Sequence, residues 1–176
     1  MECNQKPRYR HLTRLKEYDY SQPGGYFITI CTKNRSCLFG EINNDRMNLN
    51  HYGEIVRLSW LELPKHYHNV DLDVLVIMPN HIHGIIFLKD VGAGLKPAPT
   101  GFNGKPYPLP EIIRGFKTFS SRHINRLRNM SGTSVWQRNY YEHVIRRDES
   151  LAKIREYIQT NPLRWVLDRE NPANRR

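Results

Sequence analysis

The order of elements in this sequence predicts an α+β fold, an antiparallel sheet with helices packed on one face. Three observations carry that prediction. β-branched and aromatic runs occur at 26–32, 73–78 and 81–88. Helical periodicity occupies the stretches between and after them. The strands and helices do not alternate regularly as a parallel sheet would require. With 176 residues, the chain reads as a single domain over 1–176, long enough to bury a core without disulfides. A basic N-terminal arm (1–24), a Gly/Pro-rich loop (89–110) and a polar tail (168–176) surround that core.

Taken in order, "YFITICT" after the Pro-Gly-Gly breaker is the first strand. "FGEINNDRMNLN" holds Asn-Asn-Asp turn material and predicts a short hairpin. "HYGEIVRLSWLEL" places Ile55, Val56, Trp60 and Leu63 near helical spacing. In "DLDVLVIMPNHIHGIIFLKD", Pro79 cannot donate to a sheet ladder, so Pro79-Asn80 marks a bend between two strands, 73–78 and 81–88. Both are nearly continuously apolar and are expected at the middle of a covered sheet. "EIIRGFKTFSSRHINRLRN" is a helix whose polar side carries Arg114, Lys117, Arg122, Arg126 and Arg128. "VWQRNYYEHVIRR" predicts a short strand, and Trp136, Tyr140 and Tyr141 are expected to pack the fold. "DESLAKIREYIQTNP" is the clearest helix, capped by Asp148 or Ser150, burying Leu151, Ile154 and Ile158, and stopped at Asn161-Pro162. The tail is expected to fray.

The formal net charge of +10 and sequence pI of about 9.7 favour polyanionic partners, nucleic acid before anionic membrane. No apolar run approaches the roughly 20 residues that span a bilayer, and the N-terminus has no apolar signal segment. Cys3, Cys31 and Cys37 form no Cys-x-x-Cys pair and read as reduced thiols. The expectation is a cytoplasmic, nucleoid-associated protein. Arg8, Arg10 and Arg14 in the arm, Lys117 on the cationic helix face, and Arg146 and Arg147 are candidate phosphate contacts. Each also reads as a solvated surface charge.

"IMPNHIHGIIFL" puts two histidines into the most apolar stretch of the chain. On a strand, residues i and i+2 share a face, so His81 and His83 present parallel imidazoles. They read either as core histidines satisfied by hydrogen bonds or as a chelating pair for one divalent ion. A zinc finger would need closely spaced cysteines, which are absent. A two-histidine phosphoesterase would need a second His-x-Ser/Thr motif, also absent. Carboxamide, water and substrate phosphate oxygens would complete the shell, which suits Mn²⁺ or Mg²⁺.

Tyr157 and Asn161 are four apart and share a helical face. One reading makes them a core aromatic and a helix terminus. The other makes them a nucleophile and an oxygen ligand, with Tyr140 and Tyr141 as rival nucleophiles. A tyrosyl phosphodiester would conserve the energy of the broken linkage, so joining would need no ATP.

The ordered blocks "MPNHIHGII", "VWQRNYYEHVIRR" and "YIQTNP" resemble the REP-associated tyrosine transposases, single-tyrosine relatives of insertion-sequence transposases in the HUH endonuclease superfamily. The resemblance runs from "YDYSQPGGYFITICT" to "NPLRW". It implies a ferredoxin-like (RRM-like) sheet, a metal-binding pair at His81 and His83, a catalytic Tyr157, and a third ligand at Asn161, where relatives often carry Gln. It further implies a metal-dependent single-strand endonuclease and strand transferase, with Mg²⁺ or Mn²⁺ as cofactor. Hairpin DNA from repetitive palindromes or element ends would be the substrate, and a 5′-phosphotyrosine with a free 3′-hydroxyl the intermediate. Relatives include monomers and homodimers. The competing reading is a module that binds structured DNA or RNA on the same scaffold without cutting it.

Overall fold

The computed structural model describes residues 18–90, 106–168 and 170–174. Strand β1 (Gly24–Cys31) is followed by a hairpin of β2 (Gly40–Asn43) and β3 (Arg46–Leu49), and then by helix α1 (His51–Leu61) and the single turn α2 (Leu63–His66). Strands β4 (Val70–Met78) and β5 (His81–Leu88) come next, then α3 (Leu109–Leu127), β6 (Tyr141–Ile145) and α4 (Asp148–Thr160). Short 3₁₀ segments at Pro162–Leu167 and Pro172–Asn174 follow α4. The main sheet has the order β4-β5-β1-β6, every neighbour antiparallel. Leaving out the β2–β3 ribbon, the path strand, helix, hairpin, helix, strand with this order is the ferredoxin-like arrangement.

The local signals act as chemistry requires. Asn44 and Asp45 link β2 to β3 with φ of 50° and 59°, the left-handed pair that matches the twist of a two-residue hairpin turn. Asn50 caps α1 by accepting from Tyr52 N and Gly53 N. Pro79 and Asn80 form the tight β4–β5 turn, and their carbonyls accept from Phe39 N and Thr32 N.

Alternation along the two central strands sorts the core. Even-numbered residues Tyr26, Ile28 and Ile30 of β1 join Ile82, Ile86 and Leu88 of β5 against Trp60, Ile112, Ile113 and Phe116. Odd-numbered Phe27 and Ile85 join Ile158 of α4, with Leu151 and Ile154 packed beside it. The layering therefore differs from the expectation in one respect. α1 and α3 share one face, but α4 covers the other, the face on which His81 and His83 stand. An odd-face apolar cluster needs its own cover, and among the described residues α4 supplies it. Ile158, 1% exposed, contributes roughly 1.5–3 kcal/mol to that docking.

Four further expectations change. β4 lies at the sheet edge, not the middle. It is clasped there by Arg155 of α4, whose Nε donates to Asp73 at 2.8 Å. Neither Asp148 nor Ser150 caps α4: Arg147 holds the N-cap position without a side-chain bond. The end of the arm is core, since Tyr20 is buried and its carbonyl accepts from Leu109 N, the first residue of α3. The tail is tied down: the Asn80 side chain donates to the Glu170 carbonyl at 2.7 Å, and Glu170 pairs with Arg35. A buried amide that must find acceptors holds that segment against the sheet. The remainder of the arm and residues 91–105 of the loop lie outside the described residues.

Gly84 lies opposite Ile28 and Leu75 in the sheet, under the indole of Trp60. A Cβ there would sit 2.5 Å from Trp60 Cζ2, and Trp60 is wholly buried between β5 and Phe116. Gly84→Ala is expected to destabilise the protein by about 1–3 kcal/mol, read as a lower urea midpoint at unchanged m-value.

Candidate metal and nucleophile site

Register places the histidines. Antiparallel pairing sets His83 opposite Thr29 and His81 opposite Cys31, both on the α4 side of the sheet. The two rings stand 4.6 Å apart between centroids, with their Nε2 atoms 3.0 Å from each other. Each remote nitrogen is held. His81 Nδ1 is 2.8 Å from Asn80 Oδ1, and His83 Nδ1 is 2.7 Å from Thr29 Oγ1. The Asn80 amide is oriented because its Nδ2 donates to the carbonyls of Arg35 and Glu170. Its Oδ1 must therefore accept, so His81 carries its proton on Nδ1 and turns an Nε2 lone pair into the site. The Thr29 hydroxyl can donate or accept and so suits either tautomer of His83.

Burial holds both rings neutral. His81 is wholly buried, and desolvation, then the neighbouring His83 and Arg35, lower its pKa to about 2. Desolvation lowers that of His83 to about 3. Neutral imidazoles are the form that ligates metal.

Tyr157 approaches from α4 with its hydroxyl 3.4 Å from His83 Nε2. Its ring packs edge-on against Phe27 and His83, yet the residue stays 39% exposed, open to an incoming strand. Burial and then Asp168 raise the phenol pKa, opposed by a hydrogen bond from the Asn161 side chain and by Arg164. A raised pKa keeps the Tyr157 side chain a neutral phenol. Asn161, just past α4, is 2% exposed, and its Oδ1 finds no hydrogen-bond partner among the described residues.

His83, Tyr157 and Asn161 line one cavity of about 550 Å³ with Phe27, Thr29, Tyr141, Arg164, Asp168 and Glu170, and His81 lies buried beside His83, outside that lining. Asp168 Oδ2 lies 3.8 Å from His81 Nε2. Burial raises the Asp168 pKa, and Arg35 opposes the shift.

The donor set fits a divalent ion. Two nitrogens at bond lengths of about 2.1 Å and roughly 90° apart sit about 3.0 Å from each other, the separation of the two Nε2 atoms here. The unpartnered Asn161 Oδ1 supplies a carbonyl-type oxygen. Among the described residues, no group of three His, Cys, Asp or Glu side chains is arranged to hold an ion as it stands, so the two imidazoles need further oxygen donors to complete a shell.

The other expected residues separate. Tyr141 lines the cavity, 48% exposed and edge-on to Phe27, and does not pack the core. Tyr140 turns away, with the Lys117 ammonium over its ring. Lys117 is not the free phosphate contact expected of it. Its ammonium donates to the carbonyls of Gln137, Arg138 and Asn139, which uses all three of its N–H groups. Arg146 and Arg147 are exposed around a separate cavity with His143 and Ser150. Arg8, Arg10 and Arg14 lie outside the described residues. Asn80, Thr29 and Asp168 went unnoticed in the sequence. Asn80 reads there only as turn chemistry, Thr29 becomes visible only through register, and Asp168 stands in a tail expected to fray.

Comparison with known proteins gives the lineage. The chain is 41% identical over 167 residues to an uncharacterised protein of Haemophilus influenzae, covering 91% of this chain and 92% of that one. It is 28% identical over 150 residues to a "Putative REP-associated tyrosine transposase" of the same organism, covering 83% of this chain and 74% of that one. The solved structure of a REP-associated tyrosine transposase bound to a REP hairpin superposes with a TM-score of 0.59, at 18% identity, over 86% of this chain and 73% of that one. The named relative and the solved structure make the chain similar to the REP-associated tyrosine transposases. No family model matches it. That solved structure shares the fold of this chain, a four-stranded antiparallel sheet with helices. Among the described residues, no helix is long and apolar enough to cross a membrane.

The buried imidazoles set a pH dependence. The unfolded chain takes up protons on His81 and His83 below pH ~6.5, whereas the native rings stay neutral down to about pH 2 and about pH 3 respectively. The unfolded state thus binds more protons, and stability falls as pH drops from 6.5 towards 3. Urea unfolding in EDTA is expected to show that slope, and His81→Gln with His83→Gln is expected to flatten it.

Proposed function

We propose that the protein is a transposase that nicks and rejoins single-stranded hairpin DNA through Tyr157. One observation carries the proposal: the Tyr157 hydroxyl lies 3.4 Å from an imidazole nitrogen that is itself 3.0 Å from its partner's, in an open cavity. The named relative and the solved hairpin-bound structure support DNA hairpins of the REP type as the substrate class.

His81, His83 and Asn161 would hold Mn²⁺ or Mg²⁺. A bound divalent ion supplies Lewis-acid polarisation of the scissile phosphate. Tyr157 Oη attacks phosphorus and the P–O3′ bond breaks. The segment downstream of the nick is left on the tyrosine through its 5′-phosphate, and the departing 3′-oxygen of the upstream segment takes up a proton. The phenol releases its own proton to the open cavity, so the step is balanced without external acid or base. Attack by a 3′-hydroxyl on the phosphotyrosine reverses the sequence, and the aryl ester retains the linkage energy throughout. Phe27 and Ile158 hold the nucleophile's helix against the sheet, so the reacting groups are positioned before DNA arrives. Work on genomic hairpins would place the protein in the cytoplasm at the nucleoid.

On a denaturing gel with labelled hairpin DNA and Mn²⁺, the wild type is expected to give a protease-sensitive shifted band. Tyr157→Phe should lose the band while keeping hairpin affinity within about threefold. An adduct that survives Tyr157→Phe and disappears in Tyr141→Phe would move the nucleophile to the neighbouring wall. Tight binding with no adduct under any metal would favour the recognition module. Arg146→Ala with Arg147→Ala should weaken binding several-fold and flatten its salt dependence by about one to two counterions.

A further inference from the structure

The ligand set described so far carries no charge. It comprises two imidazoles, both neutral by burial, and one carboxamide. Hard divalent cations bind through oxygen and draw much of their affinity from carboxylates. A neutral set would hold Mn²⁺ or Mg²⁺ weakly before substrate arrives.

We propose that Asp168 is the anionic ligand of this site, delivered by the segment after α4 and oriented for that role by its own backbone. The inference rests on the metal-dependent reading above and deepens it. Four observations converge. First, Asp168 Oδ2 lies 3.8 Å from His81 Nε2. Two donors around one ion at bond lengths of about 2.1 Å stand roughly 3 Å apart when adjacent and about 4.2 Å when opposite, and 3.8 Å falls inside that span. Second, the carboxylate is aimed. Its Oδ1 accepts from Glu170 N at 2.7 Å, which leaves Oδ2 towards the histidines. Third, the segment is anchored to the turn that carries the histidines, because Asn80 donates to the Glu170 carbonyl while accepting at His81. Fourth, the side chain is 12% exposed and faces the cavity that also takes Tyr157 and the unpartnered Asn161 oxygen.

The neighbouring charges fit the assignment. Arg35 is drawn to Glu170 in an ion pair, so a second carboxylate screens the guanidinium beside the site. Asp168 is set apart from Glu170 by its partners: one faces a ring nitrogen, the other a guanidinium. The site then comprises His81 and His83 from β5, Asn161 just past α4, and Asp168 just past the 3₁₀ segment that follows.

The test is Mn²⁺ titration of the full-length protein without DNA, read by the electron paramagnetic resonance signal of the free ion. Wild type is compared with Asp168→Asn, Asp71→Asn and His81→Ala. Asparagine keeps an oxygen for the Glu170 amide and removes only the charge. Asp168→Asn is expected to weaken Mn²⁺ at least tenfold and to lose the Mn²⁺-induced rise in Tm, while its Tm in EDTA stays near that of wild type. Asp71→Asn, which removes a surface carboxylate paired with Lys89, should leave the affinity within twofold. An Asp168→Asn affinity within twofold of wild type, with His81→Ala still abolishing binding, would overturn the role of Asp168 and leave the proposed function standing. Mn²⁺ binding unaffected by His81→Ala, or absent from wild type, would overturn both.

Discussion

Two imidazoles in the middle of a sheet, with helices on both faces, must satisfy four ring nitrogens without bulk water, and much of this structure serves that requirement. The cost of an unpaired buried polar group is about 1–3 kcal/mol, large beside the marginal stability of a domain. Thr29 meets His83 from the neighbouring strand, and Asn80 meets His81 from the turn. Asn80 then needs acceptors of its own and takes the carbonyls of Arg35 and Glu170. One buried amide therefore ties the β4–β5 turn to the loop after β1 and to the segment after α4. The remaining two nitrogens face each other, where only a proton or a cation can make the contact favourable.

The sheet divides stability from chemistry. Its even face carries the larger core, with Trp60, Phe116 and the isoleucines of β1 and β5 under α1 and α3. Its odd face is covered by α4, whose fully buried anchor is Ile158, beside a cavity that a strand of DNA could enter. Tyr157 is thus fixed by ring contacts with Phe27 and His83 while staying reachable. The proposed function requires that reach, because a tyrosine buried as deeply as the histidines could not meet a phosphodiester.

Charge is distributed less simply than the composition suggests. Lys117 is committed to three backbone carbonyls, Arg155 to Asp73 and Arg35 to Glu170. These cations hold the fold together. Arg146 and Arg147 stand exposed at the β6–α4 junction without an ion-pair partner among the described residues. A net charge names a class of partner through its long-range field, but it does not say which cations remain available.

The hairpin at Asn44-Asp45, the bend at Pro79-Asn80, the even–odd sorting of β5 and the stripe on α4 are local patterns, and they were legible because turn chemistry and side-chain period act within a few residues. The shared face of His81 and His83 belongs with them, as do the reach of Tyr157 to Asn161 and the family resemblance. The sequence by itself determined that two imidazoles would point the same way from a buried strand and that a tyrosine and an amide would share a helix face. Only the tertiary structure decided that those two faces meet. α4 crosses to the odd side of the sheet because Phe27 and Ile85 need cover there, and strand register, not spacing, brings Thr29 to His83. The same holds for Asp168, whose place beside His81 depends on hydrogen bonds from a residue 88 positions earlier in the chain. No local pattern can encode a contact made through such distant partners.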